Sequence, residues 1–236
     1  MKKIVMLFLL LLTIGVLTAC GYPQSERAEN QVPYEDQLIT VQNAVNQYRN
    51  ATGGLLPIKT RDMDIDQYIK YPIDFSKIVP AYTAEIPTNA FEMGGIFQYV
   101  LVDVEENPTV KLVDLKAADA VRSVNVRKSA NGGKAPIAEI LADNVYKFNH
   151  KAMGFSEEPT VVSPYSGRNL PMVITGSGDV YIDYAMDLFT ELQEYEGELE
   201  PGQDIRFILY EDYPVLPAYS LPYTINEENE PIFLTE

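Results

Sequence analysis

From Leu38 onward, apolar residues recur at helical spacing. Leu38, Val41, Val45 and Tyr48 fall on one face, Gly53-Gly54 closes the stretch, and Pro57 lies beyond it. The spacing predicts a second helix opening near Pro136, carrying Ile140, Leu141, Val145 and Phe148 and ending near Gly154. Each helix is followed by a proline-punctuated loop and a pair of strand patterns. These are Ile96–Val102 and Thr109–Leu115 in the first half, Met172–Ile174 and Val180–Tyr184 in the second. Gly176-Ser177-Gly178-Asp179 supplies a hairpin turn between the latter pair. A third helix is predicted over Tyr184–Tyr195 and a strand over Ile205–Tyr210. Pro214, Pro217, Pro222 and Pro231 then favour extended edge segments over helix.

The fold class expected from this order is α+β, with small antiparallel sheets each covered by a helix. The two predicted helices stand a constant hundred residues apart: Val41 with Leu141, Val45 with Val145, Tyr48 with Phe148, Gly54 with Gly154. Two similar halves are one reading of that offset and coincidence is the other. A run of small and polar residues between them reads as a linker at 128–136. The expected organisation is therefore an N-terminal unit over 38–127, the linker, and a C-terminal unit over 137–236 with an acidic, proline-rich tail.

The first residues carry a different signal. Lys2 and Lys3 precede an apolar run from Ile4 to Val16, which is the build of a secretory signal and short for a permanent span. Leu17-Thr18-Ala19-Cys20, followed by Gly21, resembles the lipobox of bacterial lipoproteins. That resemblance implies removal of residues 1–19 as a lipoprotein signal peptide. It also implies a Cys20 modified with diacylglycerol and palmitate and a protein held at the extracytoplasmic face of the cell membrane. Acyl chains contribute about 0.8 kcal/mol per buried CH₂, so two or more hold a protein stably. The polar stretch 20–37, with Pro23 and Pro33, reads as a tether.

Two further resemblances concern the body of the chain. Tyr48, Thr52-Gly53 and Pro57, then 73–82, Ile86-Pro87 and Gly94-Gly95 ahead of a strand, follow an order that resembles the headpiece of type IV pilins and pseudopilins. It implies a headpiece fold alone, because a lipobox and polar tether replace the pilin assembly helix. Residues 21–30, 98–104 (QYVLVDV) and 163–167 (SPYSG) are similar to lipoproteins of the YphF type from Bacillus. That resemblance implies a Gram-positive envelope address and brings no activity and no functional residues with it.

Charge narrows the functional classes. The formal net charge is −16, and loss of Lys2 and Lys3 with the signal takes it to −18. Nucleic acid is excluded as a partner, since phosphates need clustered Lys and Arg. The imbalance is local: Glu191 to Glu236 holds twelve acids and one base, whereas Lys111 to Lys134 holds six bases and two acids. Glu194, Glu196, Glu198 and Glu200 are the candidate interaction surface, and the basic stretch could face anionic lipid or wall polymer.

Candidate chemistry is sparse. Asp62, Asp64 and Asp66 alternate as in a calcium loop, but Gln67 and Ile73 stand where that loop needs Gly and Glu. His150 has no nucleophile motif to serve, and Ser177 is explained by its turn. Gly94-Gly95 and Gly132-Gly133 lack the spacing of a phosphate loop. No catalytic residue, metal or other cofactor is expected. The leading expectation is a non-enzymatic, lipid-anchored binding module that meets an envelope protein or ligand. The alternatives are a transporter-associated ligand-binding lipoprotein, which needs two lobes and would be promoted by a deep pocket between them lined by Tyr and Asp, and a hydrolase built on two carboxylates converging in a groove.

Overall fold

The computed structural model describes residues 35–59 and 65–235. Cys20, Asp62, Asp64 and the tether up to residue 34 lie outside the described residues. Among the described residues, three α-helices and several small antiparallel sheets make the mixed α+β class expected from the sequence. Helix α1, Glu35–Ala51, opens with Glu35 and Asp36, which favour the positive end of the helix dipole, and buries Val41, Ala44 and Val45. Thr52 Oγ1 donates to the Tyr48 carbonyl at 2.7 Å, and Gly53 and Gly54 take positive φ to turn the chain away. The helix lies on the hairpin of β1 (Phe97–Val102) and β2 (Thr109–Asp114). Gln42 fixes that contact by accepting from the Val110 N–H (2.7 Å) and donating to the Pro108 carbonyl (3.0 Å).

Leu115–Ala130 forms α2, capped by the Asp114 carboxylate, which accepts from the Lys116 N–H. Beyond it, β3 (Ile137–Ala142), β4 (Val145–Phe148), β7 (Met172–Thr175) and β8 (Val180–Ile182) form an antiparallel sheet in the order β3-β4-β7-β8. The pair β5 (Val161–Val162) and β6 (Asn169–Leu170) lies between β4 and β7 in sequence. Helix α3, Ala185–Leu192, leads through a long turn to the 3-10 turn Arg206–Leu209. The chain ends in the hairpin of β9 (Tyr223–Ile225) and β10 (Pro231–Phe233).

The structure departs from the sequence pattern in several places. Residues 136–154 form the β3–β4 hairpin and a following turn instead of a helix. Leu141 is an exposed strand residue where Val41 is fully buried in α1, so the hundred-residue offset does not mark a repeated unit. His150 consequently sits in the turn that follows β4 and not in a helix. Lys128, Ser129 and Ala130 of the predicted linker form the last turn of α2, and only 131–136 is turn and extended chain. The strand predicted over Ile205–Tyr210 is largely a 3-10 turn. Asp204 accepts from the Arg206 N–H and grips the same residue's guanidinium, which pulls that backbone into a turn.

The core has two main clusters. One joins α1 to β1 and β2 around Val41, Ile78, Tyr99 and Leu112. The other joins Ala117, Val121 and Val124 of α2 to Leu170, Ile182, Leu188 and Tyr223, so α2 packs with the second half of the chain. Residues 214–220 tie the two together. Leu112 donates to the Pro214 carbonyl and accepts from the Leu216 N–H, both at 2.8 Å, while the Ile182 N–H bonds the Tyr219 carbonyl at 2.7 Å. One extended segment thus pairs with β2 at its start and β8 at its end. Proline-rich chain suits this, since each bridge needs only a few backbone bonds from one edge.

Candidate functional site

The predicted acidic surface is built where α3 runs out. Glu194, Glu196, Glu198 and Glu200 are all exposed, and none makes an ion pair with another described residue. Their loop is nevertheless held. Tyr195 stacks edge-to-face on Phe207 with centroids 6.1 Å apart, and Tyr195 and Leu199 pack against the second core cluster. A Cβ on Gly197 would lie 2.5 Å from the far end of the Tyr195 ring, so any larger residue there would push that ring aside. The Gly202 N–H donates to Thr224 Oγ1 at 2.7 Å and closes the far end. Glu198 and Glu200 line a depression of about 600 Å³ together with Leu192, Tyr195 and Leu199.

Behind this lobe lies a polar clip. Asp187 of α3 is buried, and its carboxylate accepts from Ser163 Oγ (2.7 Å) and Ser166 Oγ (2.5 Å). Ser163 Oγ in turn accepts from the N–H groups of Tyr165 and Ser166. The 163–167 stretch is therefore a turn wound around one hydroxyl and tied to α3. It sets where α3, and so the acidic loop after it, can lie.

The second feature is a groove of about 350 Å³ that the sequence did not single out. Its walls are Tyr68 and Tyr71, from the 3-10 turn Gln67–Ile69 and the chain just after it, together with Tyr210. Its rim is the β1–β2 hairpin tip with Asp103, Glu105 and Glu106. Asp66 caps the turn at the Tyr68 N–H and also accepts from the Tyr219 N–H at 2.7 Å, which joins the groove to the 214–220 segment. Tyr68 and Tyr210 meet edge-to-face at 5.5 Å. Burial pushes the Tyr68 hydroxyl well above the ordinary tyrosine range and raises that of Tyr210, so both stay neutral donors and acceptors.

Cations of the chain already lie over all three rings. Arg206 stands over Tyr68 at 5.0 Å, Lys70 over Tyr71 at 5.4 Å and Lys111 over Tyr210 at 5.8 Å. Arg206 is gripped by Asp204 at 2.7 to 3.1 Å and donates to the Ser220 carbonyl. Lys111 Nζ donates to the carbonyls of Tyr210 (2.6 Å) and Tyr213 (2.9 Å), and burial lowers its pKa against the pull of Asp212. The strand pattern around QYVLVDVEEN was the available signal, an acidic tip between two apolar strands. What it lacked was the long-range return of Tyr210.

Other predicted residues are structural. Ser177 bonds Thr175 and Asp179 within its hairpin turn. A Cβ on Gly95 would meet the Asn89 backbone at 2.0 Å, which is a packing demand. The basic stretch is partly spent within the fold, Lys128 Nζ on the Gly178 carbonyl and Arg122 on Asp119, while Arg127 covers Phe155. Among the described residues no three His, Cys, Asp or Glu side chains are grouped to hold a metal, and no helix is long and apolar enough to cross a membrane. No curated protein and no solved structure matches the chain. Residues 34–114, which take in α1, β1 and β2 and stop where α2 begins, match the YphF family N-terminal domain.

Proposed function

We propose that this protein is a lipid-anchored, extracytoplasmic lipoprotein that works without catalysis, as an interaction module of the cell envelope. Cys20 carries the lipid, and the loop bearing Glu194, Glu196, Glu198 and Glu200 is the surface offered to a cationic partner. One observation carries the reading: four exposed carboxylates, none in an ion pair with another described residue, sit on a loop held by the packing of Tyr195 and Leu199. A loop serving solubility alone would need no such anchorage. The resemblance to pilin headpieces enters as a proposal about the first half's fold, supported by the order helix, proline-rich loop and two-stranded sheet.

The test places a photo-crosslinking residue at Glu196 in the full chain in intact cells. The account expects a discrete adduct in the membrane fraction, lost when Glu194, Glu198 and Glu200 become Gln. It also expects Cys20→Ser to leave the signal uncleaved or the protein in the medium. An adduct indifferent to the three substitutions, or a processed Cys20→Ser protein still on the membrane, overturns it.

A second reading is favoured by a specific observation. The groove lined by Tyr68, Tyr71, Tyr210 and Asp103 supplies the Tyr and Asp lining of a ligand-binding lipoprotein, at a hairpin tip instead of between two lobes, and its volume lies at the small end of the usual range for such sites.

A further inference from the structure

We propose that the tyrosine groove binds a small organic cation with a methylated ammonium or guanidinium head. This rests on the ligand-binding reading and uses a surface separate from the acidic loop. Three observations combine. The walls are the partly exposed rings of Tyr71 and Tyr210 beside the largely buried Tyr68, and aromatic faces attract cations through the ring quadrupole. The rim is Asp103, Glu105 and Glu106, exposed carboxylates that make no ion pair with another described residue. The space, about 350 Å³, suits one small molecule and falls well short of a polypeptide's footprint.

The fold itself already uses the same chemistry. Arg206 lies over the Tyr68 ring while Asp204 forks its guanidinium. Asp204 balances the charge of Arg206, while Lys111 is anchored by hydrogen bonds to the neutral carbonyls of Tyr210 and Tyr213. Lys70 differs, because its ammonium stands over Tyr71 with no carboxylate of the described residues paired to it. It is the resident cation that an arriving head group would displace, and it should act as an internal competitor. Asp103 adopts positive φ at the tip, a conformation that Asn also tolerates, so the rim can be neutralised without refolding the hairpin.

The experiment uses the full chain in detergent micelles with ring-labelled tyrosine, the Tyr71, Tyr195 and Tyr210 signals being assigned by Tyr→Phe variants. Choline and argininamide are titrated beside the uncharged carbon isostere of choline and citrullinamide. The expected result is saturable movement of the Tyr71 and Tyr210 signals with one or both cations and none with the isosteres. Asp103→Asn, Glu105→Gln and Glu106→Gln together should weaken binding by about tenfold, since one lost charge-assisted contact is worth about that factor. Lys70→Gln should tighten it by roughly threefold, because a competing cation of modest affinity is removed. Unmoved Tyr195 signals in every variant certify the fold and keep the acidic loop as a separate question. Equal response to the isosteres, weakening by Lys70→Gln, or movement of Tyr71 and Tyr210 only with an Arg-containing peptide overturns the proposal. Movement confined to Tyr195 overturns it too, while leaving the acidic-surface reading standing.

Discussion

Replacing Asp187 by Ala removes the acceptor that ties the 163–167 turn to α3, and the structure sets the size of the loss. The Ser163 bond lies fully inside, and a buried hydrogen bond to a charged group contributes about 1.5–3 kcal/mol. The Ser166 bond is closer to solvent and adds roughly 1 kcal/mol. Against this, the variant no longer desolvates a carboxylate, which returns part of the sum. A net loss of about 3 kcal/mol is expected, with a Tm lower by roughly 6–12 °C for a chain of this size. Asp187→Asn keeps the shape and one acceptor oxygen and should cost about half as much. The assay is urea unfolding of the full chain in micelles, with Ser163→Ala and the double variant closing a cycle. The m-value should hold while the midpoint moves, and the coupling between Ser163 and Asp187 should exceed about 1 kcal/mol. A loss under about 1 kcal/mol, or additive single variants, would refute the reasoning by showing that solvent replaces the clip.

Three other outcomes follow from the same geometry. Lys111→Met should cost about 2 kcal/mol and speed protease cleavage across 210–214, because two interior carbonyls lose their donor; unchanged cleavage would contradict it. Burial raises the Asp114 carboxyl above its ordinary 3.8, so the folded protein holds a proton that the unfolded chain has released. Stability should therefore fall as pH rises from about 4 through the folded pKa, and Asp114→Asn, which still caps α2, should flatten that slope in urea midpoints. Gly197→Ala should displace Tyr195 from Phe207 and cost roughly 1–2 kcal/mol, read as a Tm shift and as broadening of the Tyr195 ring signal.

Helix α1 was legible because its buried residues fall at regular spacing and Gly53-Gly54 ends it without ambiguity. The 172–182 hairpin was legible from its turn. Residues 137–148 misled because two strands joined at Asp143-Asn144 place Ile140, Leu141, Val145 and Phe148 at offsets that also fit a helix. The informative detail was Asn144, whose positive φ the turn requires and which no periodicity reveals. Helix α2 was missed because only Ala117, Val121 and Val124 are buried along sixteen residues, leaving a weak apolar stripe among Lys, Arg, Ser and Asn. The exposure of Glu194, Glu196, Glu198 and Glu200 follows from local charge and was legible. The tyrosine groove could not, because Tyr210 reaches Tyr68 only through tertiary return of the chain.

The central claim is that the acidic loop meets its partner by charge. The most direct measurement is the association rate between the full chain and the partner trapped at Glu196, taken at low and high ionic strength. Screening shortens the Debye length from about 8 Å at physiological salt to about 3 Å at 1 M, so the account predicts a steep fall in on-rate and little change in off-rate. Glu194, Glu196, Glu198 and Glu200 changed together to Gln should reproduce the high-salt on-rate at low salt. An on-rate indifferent both to salt and to the four substitutions would contradict the account.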